Sequence, residues 1–149
     1  MDVKKLAVDF FNKTWEYIER PQRNDAETLA MIDAAFQSKY NWMKVGTKLH
    51  IVRADWLISR AFTEAHLYVP GLLYAKDCLE MTLREGFKDF DLFFAYESFV
   101  RIYHLQKDDE KRDKLLQKAK EAIHTIEKEE DKDYCQKELN KILSMERME

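Results

Sequence analysis

The sequence predicts an all-α protein of stacked antiparallel helical hairpins, with about six or seven helices in one domain over residues 1–149. Three observations carry this reading. Apolar residues recur at three- and four-residue spacing nearly throughout, and no stretch alternates apolar and polar residues as a half-buried strand does. Only three glycines and two prolines punctuate the chain, too few for a turn-dense β-sandwich. The breaks that do occur carry helix-capping residues.

The first helix is predicted from about Asp2 to Glu19, with Leu6, Phe10, Trp15 and Ile18 among its apolar positions, and Pro21 follows its end. Asn24 or Asp25 caps a second helix that has Glu27 in its first turn and continues to about Val45. Gly46 supplies the break, on the expectation that it adopts positive φ. Thr47 caps a third helix, predicted through about Tyr68. Pro70 then sits where a helix start tolerates it, and the fourth helix runs to Gly86. Asp89 caps a fifth, ending near Gln106. Asp108 or Asp109 opens a sixth, and the last either continues from it or restarts near Asp131.

A domain of this length buries roughly 68–70% of its unfolded surface, enough for one core without a metal or disulfide staple. Residues 1–106 hold 29 charged side chains and residues 107–149 hold 24, including the unbroken run Lys107 to Lys114. Mixed signs at helical spacing predict a solvated face and a more exposed C-terminal hairpin from about residue 107. The net charge of −3 gives no overall field for nucleic acid or an anionic membrane. The N-terminus has no apolar signal run, and no stretch reaches the ~20 apolar residues of a bilayer span. Cys78 and Cys135 are too few for a stapled secreted scaffold, so reduced thiols and a cytoplasmic setting are expected.

An internal repeat emerges when residues 47–86 are laid over 89–125 with Cys78 against Ala119. Phe62 then matches Tyr103, Ile58 matches Phe99, Ala75 matches Leu116, and Gly71 matches Arg112. A small residue at the close approach of the second helix and an aromatic near the end of the first are features of tetratricopeptide hairpins. The period is 41 instead of the usual ~34, which implies longer helices. Each hairpin leaves an apolar face for a neighbouring hairpin to cover.

Two segments carry a family resemblance. The first is Asn41-Trp42, Val45-Gly46-Thr47, then Arg53, Trp56, Ile58, Ser59 and Arg60; the second is Asp89-Phe90-Asp91-Leu92 followed by Phe94-Ala95-Tyr96-Glu97. Over residues 25–125 the chain resembles an uncharacterised family of bacterial helical proteins of tetratricopeptide-like build. That family commonly has His before Trp42, Asn at position 50 and Ala at position 93, where this chain has Asn41, His50 and Phe93. The resemblance implies the fold and brings no catalytic signature.

On the third helix Arg53, Trp56, Arg60 and Glu64 share one face. Guanidiniums beside an indole suit a carboxylate or phosphate on a flat body; the competing architectural reading pairs Arg60 with Glu64 and packs Trp56 between helices. On the fifth helix Glu97, Arg101 and His104 share a line, with Glu97 and Arg101 in the favourable i,i+4 order. That helix is expected to be packed all round, with Glu97 reaching Arg53 or Arg60. The histidines are expected at helix surfaces or caps.

Glu121-Ala-Ile-His124 occurs once, short of a di-iron set, and neither a zinc motif nor a glycine-rich phosphate loop is present. No metal, cofactor or catalytic residue is therefore expected. The leading expectation is a non-catalytic interaction module that holds a peptide or protein segment on a concave face, with Trp42, Arg53, Trp56, Arg60, Glu97 and Arg101 as binding residues. A second is an anionic small-molecule pocket or enzyme between the third and fifth helices. A third is a homodimer burying Trp42 and Tyr40.

Overall fold

The computed structural model describes residues 2–147 as seven α-helices, with no strand among them. They are α1 (Val3–Ile18), α2 (Asp25–Val45), α3 (Lys48–Glu64), α4 (Tyr68–Glu85), α5 (Phe90–Leu105), α6 (Asp109–His124) and α7 (Glu129–Leu143). The last two are separate helices, broken at Thr125–Lys128. No helix among the described residues is long and apolar enough to cross a membrane.

Several boundaries follow from their caps. The Asp2 carboxylate accepts from the Lys5 N–H at 3.0 Å and starts α1. Asn24 and Glu27 form a reciprocal capping box at α2: the Asn24 side chain accepts from the Glu27 N–H, and the Glu27 carboxylate from the Asn24 N–H. Asp108 accepts from the Lys111 N–H at the start of α6. Asp89 departs from the expected role, since its side chain makes no cap hydrogen bond and its φ is +58°.

Two other expectations need correction. Gly46 has φ −96°, an ordinary value, so conformational freedom is not its function. A Cβ there would stand 2.8 Å from the Trp42 carbonyl oxygen and 2.9 Å from the Trp42 ring, so the position is glycine for lack of space. The third helix ends at Glu64 and not at Tyr68. His66 takes φ +61°, and the N–H groups of His66 and Leu67 turn back onto Thr63 and Phe62 carbonyls at 3.0 and 2.9 Å. This is the closure usually made with glycine.

The same closure recurs. Lys107 takes φ +61°, and Lys107 and Asp108 donate to the His104 and Tyr103 carbonyls at 3.1 and 2.9 Å. Helix ends Glu64 and Leu105, turn residues His66 and Lys107, and next starts Tyr68 and Asp109 each lie 41 residues apart. The repeat is thus present in the backbone.

The chain divides into two compact units, Met1–Cys78 and Leu79–Glu149, a division that falls inside α4. In the first unit Met31, Leu57, Ile58 and Ala61 are sealed by Phe11, Phe36, Phe62 and Tyr74. Small residues Ala7, Ala34 and Ala35 are buried, and the Ser38 hydroxyl donates to the Ala7 carbonyl at 2.8 Å, tying α2 to α1. In the second unit Phe93 and Val100 of α5 pack with Ala119, Ala122 and Ile123 of α6 and with Cys135, Leu139 and Ile142 of α7. The charged run at 107–114 forms the solvated pairs expected of it, among them Lys111–Asp108 and Lys114–Glu110.

Candidate functional site

The α3 face expected to bind a ligand meets α1 within the first unit. Trp15 and Trp56 stack with ring centroids 5.8 Å apart and planes 25° from parallel. The Arg60 guanidinium lies 5.5 Å from the Trp15 ring centroid, and its Nε donates to a Glu64 carboxylate oxygen at 3.2 Å. The other Glu64 oxygen receives Arg23 at 3.5 Å. Arg23, in the α1–α2 link, also donates to the carbonyls of Tyr17, Ile18 and Arg20, so one cation closes the C-terminal end of α1. Two guanidiniums therefore converge on the Glu64 carboxylate beside a pair of stacked indoles. Trp15, Trp56 and Arg60 are half-buried, while Arg53 on the same helix is exposed.

Trp42 occupies a different place. It is 8% exposed, beside Ala7 and Ala54, and its indole lies flat on the His50 ring at 4.0 Å. A surface role for Trp42 is thereby corrected; of the two aromatics expected at a dimer interface, Tyr40 alone is exposed, at 51%.

Glu97 and Arg101 belong to the second unit, both buried on α5, where Arg101 donates to the Glu97 carboxylate at 3.2 Å. The partner given to Glu97 is thus on its own helix. Arg101 also reaches the Met145 sulfur at 3.6 Å. His104, expected at a surface or cap, is buried: Nε2 contacts the Met145 carbonyl at 2.9 Å and Nδ1 contacts Arg112 at 3.1 Å. Because a guanidinium only donates, Nδ1 accepts and Nε2–H donates to Met145. Asp109 pairs with both Arg112 and Arg147, and the Arg147 hydrogen bond, first of all, holds its carboxyl below the usual carboxylate range. The segment after α7 is fastened to α5 and α6 through these polar groups.

Sequence reasoning missed Trp15 and Arg23, whose roles depend on how α1 crosses α3. It also missed an ion pair between α2 and α3, where half-buried Lys39 meets buried Asp55 at 2.7 Å and lies over the Tyr74 ring at 5.3 Å. Burial pushes the Asp55 carboxyl above the usual range, against the opposing pull of Lys39. Cys135 is a fully buried thiol pushed up to about 12 by desolvation and then by nearby carboxylates, which makes it unreactive as a nucleophile. No family model, curated protein or solved structure matches the chain.

Proposed function

We propose that the protein is a non-catalytic module of tetratricopeptide-like hairpins that holds a peptide or protein segment on the face shared by α1 and α3. The observation that carries this reading is the Trp15–Trp56 stack with Arg60 above it and exposed Arg53 on the same helix. Half-buried aromatics edged by arginine are the residue types that dominate binding energy at protein interfaces. The 41-residue recurrence of helix ends and turns supports the hairpin-repeat part of the proposal. So does the resemblance of residues 25–125 to bacterial helical proteins of that build. A cytoplasmic setting belongs to the same reading and rests on two buried thiols, Cys78 and Cys135.

An anionic small molecule is the weaker reading. Arg23 and Arg60 already hold a carboxylate, that of Glu64, so an incoming anion would have to displace it. The test is affinity capture from lysate with the wild-type chain and Arg53→Glu, with mass analysis of retained proteins and small molecules. A protein retained by the wild type and lost from the variant supports the module. Identical protein sets, or a small molecule alone, would overturn it.

A further inference from the structure

The turn from α2 to α3 is built around one histidine. Gly46 closes α2 by donating its N–H to the Trp42 carbonyl at 2.6 Å, and a Cβ at Gly46 would lie 3.1 Å from the His50 Cβ. His50 stacks on the Trp42 indole within 6° of parallel. Its Nδ1 accepts the backbone N–H of Thr47 at 3.1 Å, and the Thr47 hydroxyl lies 3.1 Å from the same nitrogen. His50 thus stands three residues after the N-cap, where a capping box ordinarily has Glu or Gln. A nitrogen that accepts a backbone N–H carries no proton, so the ring proton sits on Nε2. Glu or Gln would keep its acceptor through mild acid; an imidazole does not.

We propose that His50 is an acid-sensitive lock on the α2–α3 turn: neutral, it accepts the Thr47 N–H and caps α3; protonated, it releases that cap.

The charged surroundings favour release. Lys4 of α1 and Arg53 of α3 both act on the ring, α2 presents the uncharged Trp42 face, and the first turn of α3 has no acidic residue. A new positive charge also opposes the positive end of the α3 dipole. Against release stand the indole face, which attracts an imidazolium, and the Thr47 hydroxyl oxygen, a neutral acceptor. Burial first, then Arg53 and Lys4, hold His50 below the ordinary histidine range. A base depressed on folding leaves the unfolded chain with more bound protons. The lock is therefore intact above about pH 6.5 and lost as pH falls from there through the folded value.

Two measurements on the full chain test this. Nitrogen NMR of the His50 ring should show the Nε2–H tautomer at neutral pH and a titration midpoint below about 6.5. Amide exchange at Ile51 and Val52, corrected for intrinsic rate, should report turn opening that rises by up to about tenfold per pH unit below neutrality. His50→Gln keeps a capping acceptor without a titrating ring and should flatten that dependence. A ring that titrates at or above the ordinary value overturns the proposal, as does an exchange profile that His50→Gln leaves unchanged. The ring measurement uses the wild-type chain, so it decides the matter even if the variant does not fold.

Discussion

Trp15 and Trp56, 41 positions apart and on different helices, stack at 5.8 Å and join α1 to α3. Removing either indole takes away a large apolar surface and an aromatic pair worth about 0.5–1.5 kcal/mol beyond its area. Trp56→Ala should therefore cost about 3 kcal/mol in denaturant unfolding. Arg60→Ala removes a half-buried pair at the margin of the same cluster and should cost only about 1 kcal/mol. Equal losses would mean that the stack does not organise this face.

Glu97 and Arg101 form a deeply buried ion pair in the second unit, with Glu97 1% exposed. Taking out one partner strands the other charge, so Arg101→Met should cost about 3–5 kcal/mol. Combining it with Glu97→Gln should recover much of that loss. A double-mutant cycle with additive effects would contradict the pairing.

Lys39 and Asp55 make the corresponding pair between α2 and α3. Lys39→Met should be more damaging than Asp55→Asn, because the first leaves a buried carboxylate and the second leaves an amide beside an ammonium that reaches solvent. The pH dependence is opposite to that of His50. A carboxyl raised on folding favours the folded state below its unfolded value near 3.8, and that contribution is lost as pH rises through the folded value. In Asp55→Asn, stability should fall less as pH rises from about 3.8 than it does in the wild type. Parallel pH curves would sink this assignment.

Lys107 is exposed and holds φ +61° at the end of α5. A left-handed conformation costs a residue with a Cβ roughly 1–2 kcal/mol, and glycine adopts it freely. Lys107→Gly should raise stability by up to about 1 kcal/mol, read as a higher unfolding midpoint. A lower midpoint would mean that the Lys107 side chain supports the turn.

These turns also explain which parts of the fold the sequence revealed. Asn24 with Glu27, Asp2 and Asp108 cap through their own side chains, so the starts of α2, α1 and α6 were readable from residue type. The end of α3 was not, because His66 adopts a conformation that composition assigns to glycine. Gly46 misleads in the reverse sense: its residue type suggests a conformational role, and it is there because Trp42 leaves no room for a Cβ. For the site, helical spacing placed Arg53, Trp56, Arg60 and Glu64 together on α3. Spacing along one helix carries no information about which neighbour crosses it, so Trp15, Arg23 and the Lys39–Asp55 pair stayed hidden.

If a protein partner binds the α1–α3 face as proposed, position 53 lies at the contact, whereas the exposed apolar residues Tyr40, Val69 and Leu73 belong to α2 and α4. Site-specific photo-crosslinking distinguishes them. A photoreactive residue at position 53 should yield an adduct of protein mass in lysate, while the same residue at position 73 should yield none. An adduct from position 73 with none from position 53 would contradict the account.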